Sequence, residues 1–284
     1  MSICSIEDVA AAVPEAPFWF QVYMLKDRAF MRNLIERARL ANCSALVLTL
    51  DLQILGQRHN DKRNHLSAPP AINLDTAGQF LTRPSWCLRM LTTAKRFDMG
   101  NIVGHATGVS NLASLSSWAA EQFDPALDWG DVAWVRELWP AERPLILKGI
   151  MCTEDALKAA EVGAAAVVVS NHGGRQLDGA PSSISQLPDI VEALRGTGVE
   201  VHMDGGVRSG QDVLKALCLG AQGTYIGRPY LYGLGAGGEA GVTRCLEIMA
   251  NELDITMALC GERSVRTVGR HNLSRLPREW DGPN

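Results

Sequence analysis

Nowhere in this chain does an apolar run approach the ~20 residues that a membrane-crossing helix requires. Its first residues, MSICSIEDVA, show neither the basic start nor the apolar stretch of a secretory signal. The seven cysteines (Cys4, Cys43, Cys87, Cys152, Cys218, Cys245 and Cys260) are scattered, without a CxxC pair or metal-type spacing, so no metal site is expected. Reduced thiols buried in a cytosolic protein are the simpler reading. Excess basic charge is missing too: 27 Lys and Arg against 31 Asp and Glu give a net charge of −4, which speaks against a nucleic-acid partner. Aromatics are sparse at 6%, but 46% hydrophobic and 20% charged residues are ordinary globular values with ample material for a core. The expectation is a cytoplasmic protein that at most sits on the surface of the inner membrane. A length of 284 residues suits a single domain, 1–284, and is common for α/β barrels.

What is present is a repeated unit. Short apolar, β-branched runs recur, each followed by polar residues or glycine and then by a helical pattern. Strands are expected near Phe18–Val22, Ala45–Leu50, Leu145–Lys148, Ala165–Ser170, Glu200–Asp204 and Gly223–Gly227. Helices fit Asp27–Ala41, Glu154–Val162, Ser185–Leu194, Gln211–Leu219 and Ala240–Leu259. The junctions AEVGAAAVVVS (160–170), LCLGAQGTYIG (217–227) and, more loosely, RLANCSALVLT (39–49) each end a helix on Gly or Asn and turn into a strand. Repetition of β then α argues for a parallel sheet, either a barrel or a doubly wound fold.

The polar residues choose between these two. Chemistry-bearing groups follow every strand: Gln21 and Tyr23, Thr49 and Asp51, Lys148, Ser170 and His172, Asp204, then Gly227 and Arg228. A barrel gathers all such ends at one mouth, whereas a doubly wound sheet gathers ligands mainly at one crevice. The barrel is favoured. Residues 52–144 interrupt the rhythm as a long insertion, basic at first (GQRHNDKRNH, 56–65) and then bearing proline and aromatics (PSWCLRML, 84–91). It finishes in an expected helix around Val132–Trp139, and a loop of this length is usually functional or partly disordered.

Each candidate has a bland alternative. HMDGGVRSG (202–210) and YIGRP (225–229) put glycines and an arginine between a strand and a helix. Glycines let backbone approach a ligand, and helix N-termini suit phosphate. Either turn alone is more often just a tight loop. Two in consecutive final units point to a phosphate, with Gly205, Gly206, Arg208, Gly227 and Arg228 around it. His172 alone can be a strand-end histidine bonded to backbone, Arg175 a solvated loop charge, Asp51 an N-cap, Arg58 a surface arginine and Lys148 a snorkelling lysine. Together they offer a base, an acid to orient it and two arginines, which is what holding a carboxylate and removing a proton beside it requires.

LILKG, VVSNHGGRQLDG, MDGGVRSG and YIGRP, with FQVY and TLDLQILGQR upstream, closely resemble the FMN-dependent L-2-hydroxy acid dehydrogenases and oxidases. The group includes glycolate oxidase, mandelate dehydrogenase and L-lactate dehydrogenase. The likeness spans essentially residues 2–275, and NIVGH (101–105) with EQFDPALDW (121–129) looks most like bacterial respiratory L-lactate dehydrogenase. The resemblance implies a (β/α)8 TIM barrel, FMN as cofactor and an L-2-hydroxy acid, most of all lactate, as substrate. It implies His172 as the base, Asp51 as its paired carboxylate, and Arg175, Arg58 and Tyr23 as substrate contacts. Gln21, Thr49 and Ser170 match flavin-ring contacts, Lys148 the lysine beside the flavin N1–C2 edge, and Asp204, Arg208, Gly227 and Arg228 the ribityl and phosphate contacts. A homo-oligomer passing electrons to a quinone or cytochrome is expected, with peripheral membrane contact through residues 78–96.

There are departures from the pattern. Leu52 and Gln53 stand where the family often has a proline two residues after the aspartate. The family also begins with a helical segment and two further strands, whereas Met1 falls just after the second of these. About six βα units of eight are therefore expected, with Ser5–Asp8 as a capping box. Since a parallel barrel closes by pairing its last strand with its first, the chain is expected to be part of a longer protein that alone binds FMN weakly and aggregates. The rival readings are another FMN- or phosphate-binding barrel, such as a dehydrogenase of nucleotides, or an inactive fragment that only binds phosphate or a partner.

Overall fold

Six strands form one sheet in the order β1-β2-β3-β4-β5-β6, every neighbouring pair parallel. They are β1 (Trp19–Tyr23), β2 (Ala45–Thr49), β3 (Leu145–Ile150), β4 (Ala166–Val169), β5 (Glu200–Met203) and β6 (Gly223–Thr224). The computed structural model describes residues 2–54, 56, 59–64, 74–92, 99–109, 118 and 121–274. Helices α1 (Ile6–Ala12), α2 (Arg28–Leu40), α3 (His59–Arg63), α4 (Leu74–Leu81), α5 (Pro84–Thr92), α6 (Trp129–Leu138), α7 (Thr153–Glu161), α8 (Ser183–Ala193), α9 (Gly210–Cys218) and α10 (Arg228–Leu259) surround or follow it.

Strand alternation sorts the side chains into two layers. Outward, Leu46, Leu48, Leu147, Val167, Val169 and Val201 join the helices in the main core. Inward, Ala45, Val47, Ile146, Ala166 and Val168 pack together with Tyr225. Because both layers are covered, β2 and β4 are buried along their whole length, which is why AVVV reads as an unbroken apolar run. The sheet curls around the inner layer: the Trp19 ring of β1 lies 6.0 Å from Tyr225 just after β6, and 6.4 Å from His202 of β5. The two ends of the sheet thus meet through side chains, while among the described residues β1 pairs only with β2 and β6 only with β5. The barrel-type sheet expected from the motifs, carried by six βα units, is what the chain forms.

The helices follow from local chemistry. In α2 the buried Phe30, Met31, Leu34, Ile35 and Ala38 recur on one face, and each large side chain buried fully contributes roughly 1.5–3 kcal/mol. Asp27 caps its start, accepting from the Phe30 N–H at 2.9 Å. At α1 both bonds of the Ser5–Asp8 capping box form, as read from the sequence. Two expectations are corrected. β6 is only two residues long, because Tyr225–Gly227 already turn toward the next helix. α10 starts at Arg228 rather than Ala240; Pro229 suits a first helical turn, and a kink at Gly238 (φ 62°) separates its two parts.

One hub fastens α1 to the rest. Arg37 of α2 grips Glu7 with two bonds of 2.8 and 2.7 Å and also donates to Asn101, whose Oδ1 accepts the Ile6 N–H. The Arg37 hydrogen bond holds the Glu7 carboxyl down at about 2 against an ordinary 4.5. A depressed carboxyl contributes stability that is present above its unfolded value and lost as pH falls through the folded one. Amide exchange in α1 should therefore speed up as pH drops from about 4.5 toward 2 beyond the intrinsic pH effect. In Arg37→Met, α1 should already exchange fast at neutral pH, with no further acid step; an acid step that survives the substitution would show that this pair does not hold α1.

Candidate active site

The inward register carries past the apolar layer to the C-terminal strand ends, and there it turns polar. Gln21, Tyr23, Thr49 and Lys148 from the first three strands line one cavity of about 470 Å3. Its remaining wall comes from the turns after β4, β5 and β6: His172 and Arg175, then Asp204, Gly205, Gly206 and Arg208, then Gly227 and Arg228. Asp51 and Ser170 do not line it but lie one hydrogen bond behind its wall. Every residue singled out from the sequence meets at this one place except Arg58, which lies outside the described residues.

His172 Nδ1 is 2.9 Å from Asp51 Oδ1. A carboxylate can only accept, so Nδ1 carries the hydrogen and Nε2 is left as the acceptor, the state a base needs. His172 holds this position with φ 56°, the left-handed region that a side chain adopts only where its surroundings enforce it. They do so here. Its N–H donates to Ser170 Oγ at 3.1 Å, and Asn171 Oδ1 accepts the Gly174 N–H, tightening the turn. Gly173 (φ 65°) lets the Arg228 guanidinium come close, since an added Cβ would sit 3.2 Å from Nη1.

Lys148 sits between a hydroxyl and a carboxylate. Its Nζ donates to Ser170 Oγ at 2.9 Å and pairs with Asp204 Oδ2 at 3.1 Å. Gln21 Nε2 donates to Thr49 Oγ1 at 2.8 Å, which fixes the amide beside them. Below this layer burial pushes the Tyr225 phenol upward, reinforced by Asp204 and Glu200, so it stays neutral in the cavity wall. Among the described residues no group of three His, Cys, Asp or Glu could hold a metal ion.

The structure adds residues that the sequence reading passed over. Tyr225 and Ile226 complete the cavity wall. Gly149, at the irregularity in the β3–β4 register, has φ 101°, and a Cβ there would lie 2.8 Å from Asp51 Cβ. It is the gap into which Asp51 fits. The glycine directly after Lys148 in LILKGI was the available signal, but a glycine ending a strand marks many ordinary turns.

A curled parallel sheet with glycines and two arginines after its last strands, and a His–Asp pair at the same mouth, defines a class: barrel enzymes that hold a phosphorylated cofactor beside a proton acceptor. The chain belongs to the FMN-dependent dehydrogenase family, whose model matches residues 1–275. It is an FMN-dependent oxidoreductase of the 2-hydroxy acid dehydrogenase and oxidase group, and FMN is its cofactor. It is 41% identical over 277 residues to an L-lactate dehydrogenase of Stenotrophomonas maltophilia, covering 98% of this chain and 72% of that protein. An L-lactate dehydrogenase of Pseudomonas entomophila is 42% identical over 275 residues, with 97% and 71% covered. Among solved structures, (S)-mandelate dehydrogenase, described as a monotopic membrane protein, superposes with a TM-score of 0.88 at 33% identity, covering 96% of this chain and 70% of its own. A mandelate oxidase gives 0.71 at 38% identity, with 93% and 65% covered.

The cavity fits FMN on its own chemistry. Asp204 Oδ1 is buried without a partner among the described residues, an acceptor suited to a ribityl hydroxyl. The uncapped N-terminus of α10, opening at Gly227–Arg228 beside Arg208, supplies donors for a phosphate. Lys148 places positive charge in the cavity wall, which suits an electron-accepting ring.

The close approach of Gly149 to Asp51 is testable. Gly149→Ala should cost at least ~1 kcal/mol from its positive φ and push Asp51 away from His172. Turnover is expected to fall more than FMN affinity, which flavin fluorescence titration measures independently. Equal losses in both would mean that the glycine serves the cavity as a whole.

Proposed function

We propose that this protein oxidises an L-2-hydroxy acid, L-lactate before others, to the 2-oxo acid. The observation that carries the reading is the His172–Asp51 pair at 2.9 Å, set at the rim of a cavity suited to FMN and beside Arg175. Arg175, with Arg58 and the Tyr23 hydroxyl, binds the substrate carboxylate; a planar guanidinium meets a carboxylate with two parallel bonds. That fixes the hydroxyl-bearing carbon relative to the imidazole. His172 Nε2 accepts a proton from the substrate, and Asp51 stabilises the imidazolium that results. When bound, FMN would take up the two electrons and the second proton lost by the substrate. Lys148 holds positive charge beside it, oriented by Ser170 and Asp204. Gln21 and Thr49 would contact the ring, with Ser170 behind them holding Lys148, while Asp204, Arg208, Gly227 and Arg228, with Gly205 and Gly206, would hold the ribityl chain and phosphate.

Lactate is favoured by the two bacterial relatives, both named L-lactate dehydrogenase. A mandelate-type substrate is the second reading, favoured by the structural likeness to (S)-mandelate dehydrogenase. His172→Gln should leave the yellow flavin spectrum intact and lower turnover by about 10²–10⁴-fold. Specificity is read from kcat/KM for L-lactate, glycolate and (S)-mandelate on the unaltered chain. A His172→Gln chain keeping more than about a tenth of its activity would remove the histidine from this role, and a colourless chain would return the fragment reading.

The same proposal takes the working form to be a homo-oligomer that hands electrons to a membrane quinone or cytochrome from the cytoplasmic side. No helix among the described residues is long and apolar enough to cross a membrane. Helices α4 and α5, however, expose Phe80, Leu81, Trp86, Leu88 and Leu91 around an almost wholly apolar cavity of about 600 Å3, with Arg83 and Arg89 alongside. Apolar side chains flanked by basic ones suit a lipid interface. Co-sedimentation with anionic vesicles should be lost when residues 78–96 are replaced by a polar linker, and binding that survives the replacement would refute the contact.

A further inference from the structure

Gln176 lies beside Arg175 in the chain, and no part of the chemistry above uses it. Its Nε2 donates to two backbone carbonyls more than a hundred residues away, Asp51 O and Ile54 O, each at 3.2 Å. β2 stops at Thr49, and its ladder ends where the Leu50 N–H donates to Lys148 O. Beyond that point no backbone N–H among the described residues reaches the Asp51 or Ile54 carbonyl. A primary amide has two N–H donors splayed apart, so one side chain replaces the missing ladder at both positions. The two segments also lie flush: a Cβ on Gly56 would sit 2.5 Å from Arg175 O and 3.0 Å from Gln176 Cα.

The other end of the amide is informative. Gln176 Oε1 is buried and has no hydrogen-bond partner among the described residues. Turning the amide over would aim that oxygen at two carbonyl oxygens, so the observed orientation is the only one its neighbours allow. The oxygen is left unpaired while both N–H groups of the amide serve the carbonyls of Asp51 and Ile54, so the contacts this side chain does make are all to the turn that carries Asp51. We infer that Gln176 is a positioning residue: it clamps the turn after β2 so that Asp51 meets His172 Nδ1, an inference that rests on the roles given above to Asp51 and His172. Asp51 is thereby held from two sides, by the gap at Gly149 and by the amide of Gln176. The clamp also ties the segment bearing Arg175 to the one bearing Asp51, so that the substrate's carboxylate and its proton acceptor share one frame.

Gln176→Met keeps the length and removes both donors, whereas Gln176→Lys keeps a donor of similar reach. In the FMN-loaded chain the Met variant should lower kcat by about tenfold or more with KM and flavin absorbance nearly unchanged, and Lys should return kcat to within about threefold. In the flavin-free protein the downfield proton resonance of the His172–Asp51 hydrogen bond should broaden or vanish with Met and persist with Lys. Unchanged kcat and an unchanged resonance in the Met variant would overturn the inference. So would a loss of kcat that follows a lowered unfolding temperature and is not restored by Lys, because that is the pattern of a merely structural residue. Turnover by His172→Gln would instead overturn the assignment of the base, and the resonance would still test the clamp separately.

Discussion

Everything at the mouth of this sheet depends on a two-residue period held in register across six parallel strands. Gln21, Val47 and Ile146 share one level, and Tyr23, Thr49 and Lys148 share the level two residues further on. The lower level is apolar and packed at Val47 and Ile146 and turns polar only at Gln21; the upper one carries the rest of the chemistry. A slip of one residue in any strand would send its polar end group into the helix layer and a leucine or valine into the cavity. The apolar lower layer, closed by Trp19, His202 and Tyr225, therefore does more than add stability: it sets the height and direction of every side chain above it.

Close approach is the second requirement, and it falls on glycines in the turns. Gly149 admits Asp51, Gly173 admits the Arg228 guanidinium, and Gly205 (φ 87°) leaves only 2.7 Å between a would-be Cβ and Ser183 Oγ. These contacts tie the turn after β2 to β3 and the turn after β4 to those after β5 and β6, and the His172–Asp51 bond links the two groups. Lys148 and Asp204 balance as a charged pair on the rim of the cavity, and Asp51 meets the ring of His172 by a hydrogen bond. A pair held in a partly desolvated place interacts more strongly than one in water, and it pre-sets the field before any ligand arrives. The chain spans 72% of the length of the lactate dehydrogenase it resembles, yet the rim is assembled within it.

Most of the strands and helices were legible because their apolar periods were clean. The departures occurred where the period was faint. β6 contributes two residues and then turns, so its expected length came from YIG, which the structure uses as a cavity wall. The glycine-rich YGLGAGG was passed over as a helix because intrinsic propensity opposes it, yet it forms the first part of α10. Gly233 of this stretch faces Gly241 beyond the kink: a Cβ on Gly241 would meet Gly233 O at 1.9 Å, so the packing itself demands glycine and outweighs the local preference.

By itself the sequence determined the parallel βα repeat and the inventory of the site. Those follow from local periodicity and from residue types that have few uses outside chemistry. Distances between segments were beyond its reach. That Asp51 lies 2.9 Å from His172, 121 positions away, follows from neither segment alone. It results from the register of three strands, the gap at Gly149 and the amide of Gln176, each acting on backbone supplied by another part of the chain. Only the tertiary structure could decide this, because a hydrogen bond requires alignment to a few tenths of an ångström, whereas apolar patterning sets position no more finely than one residue step.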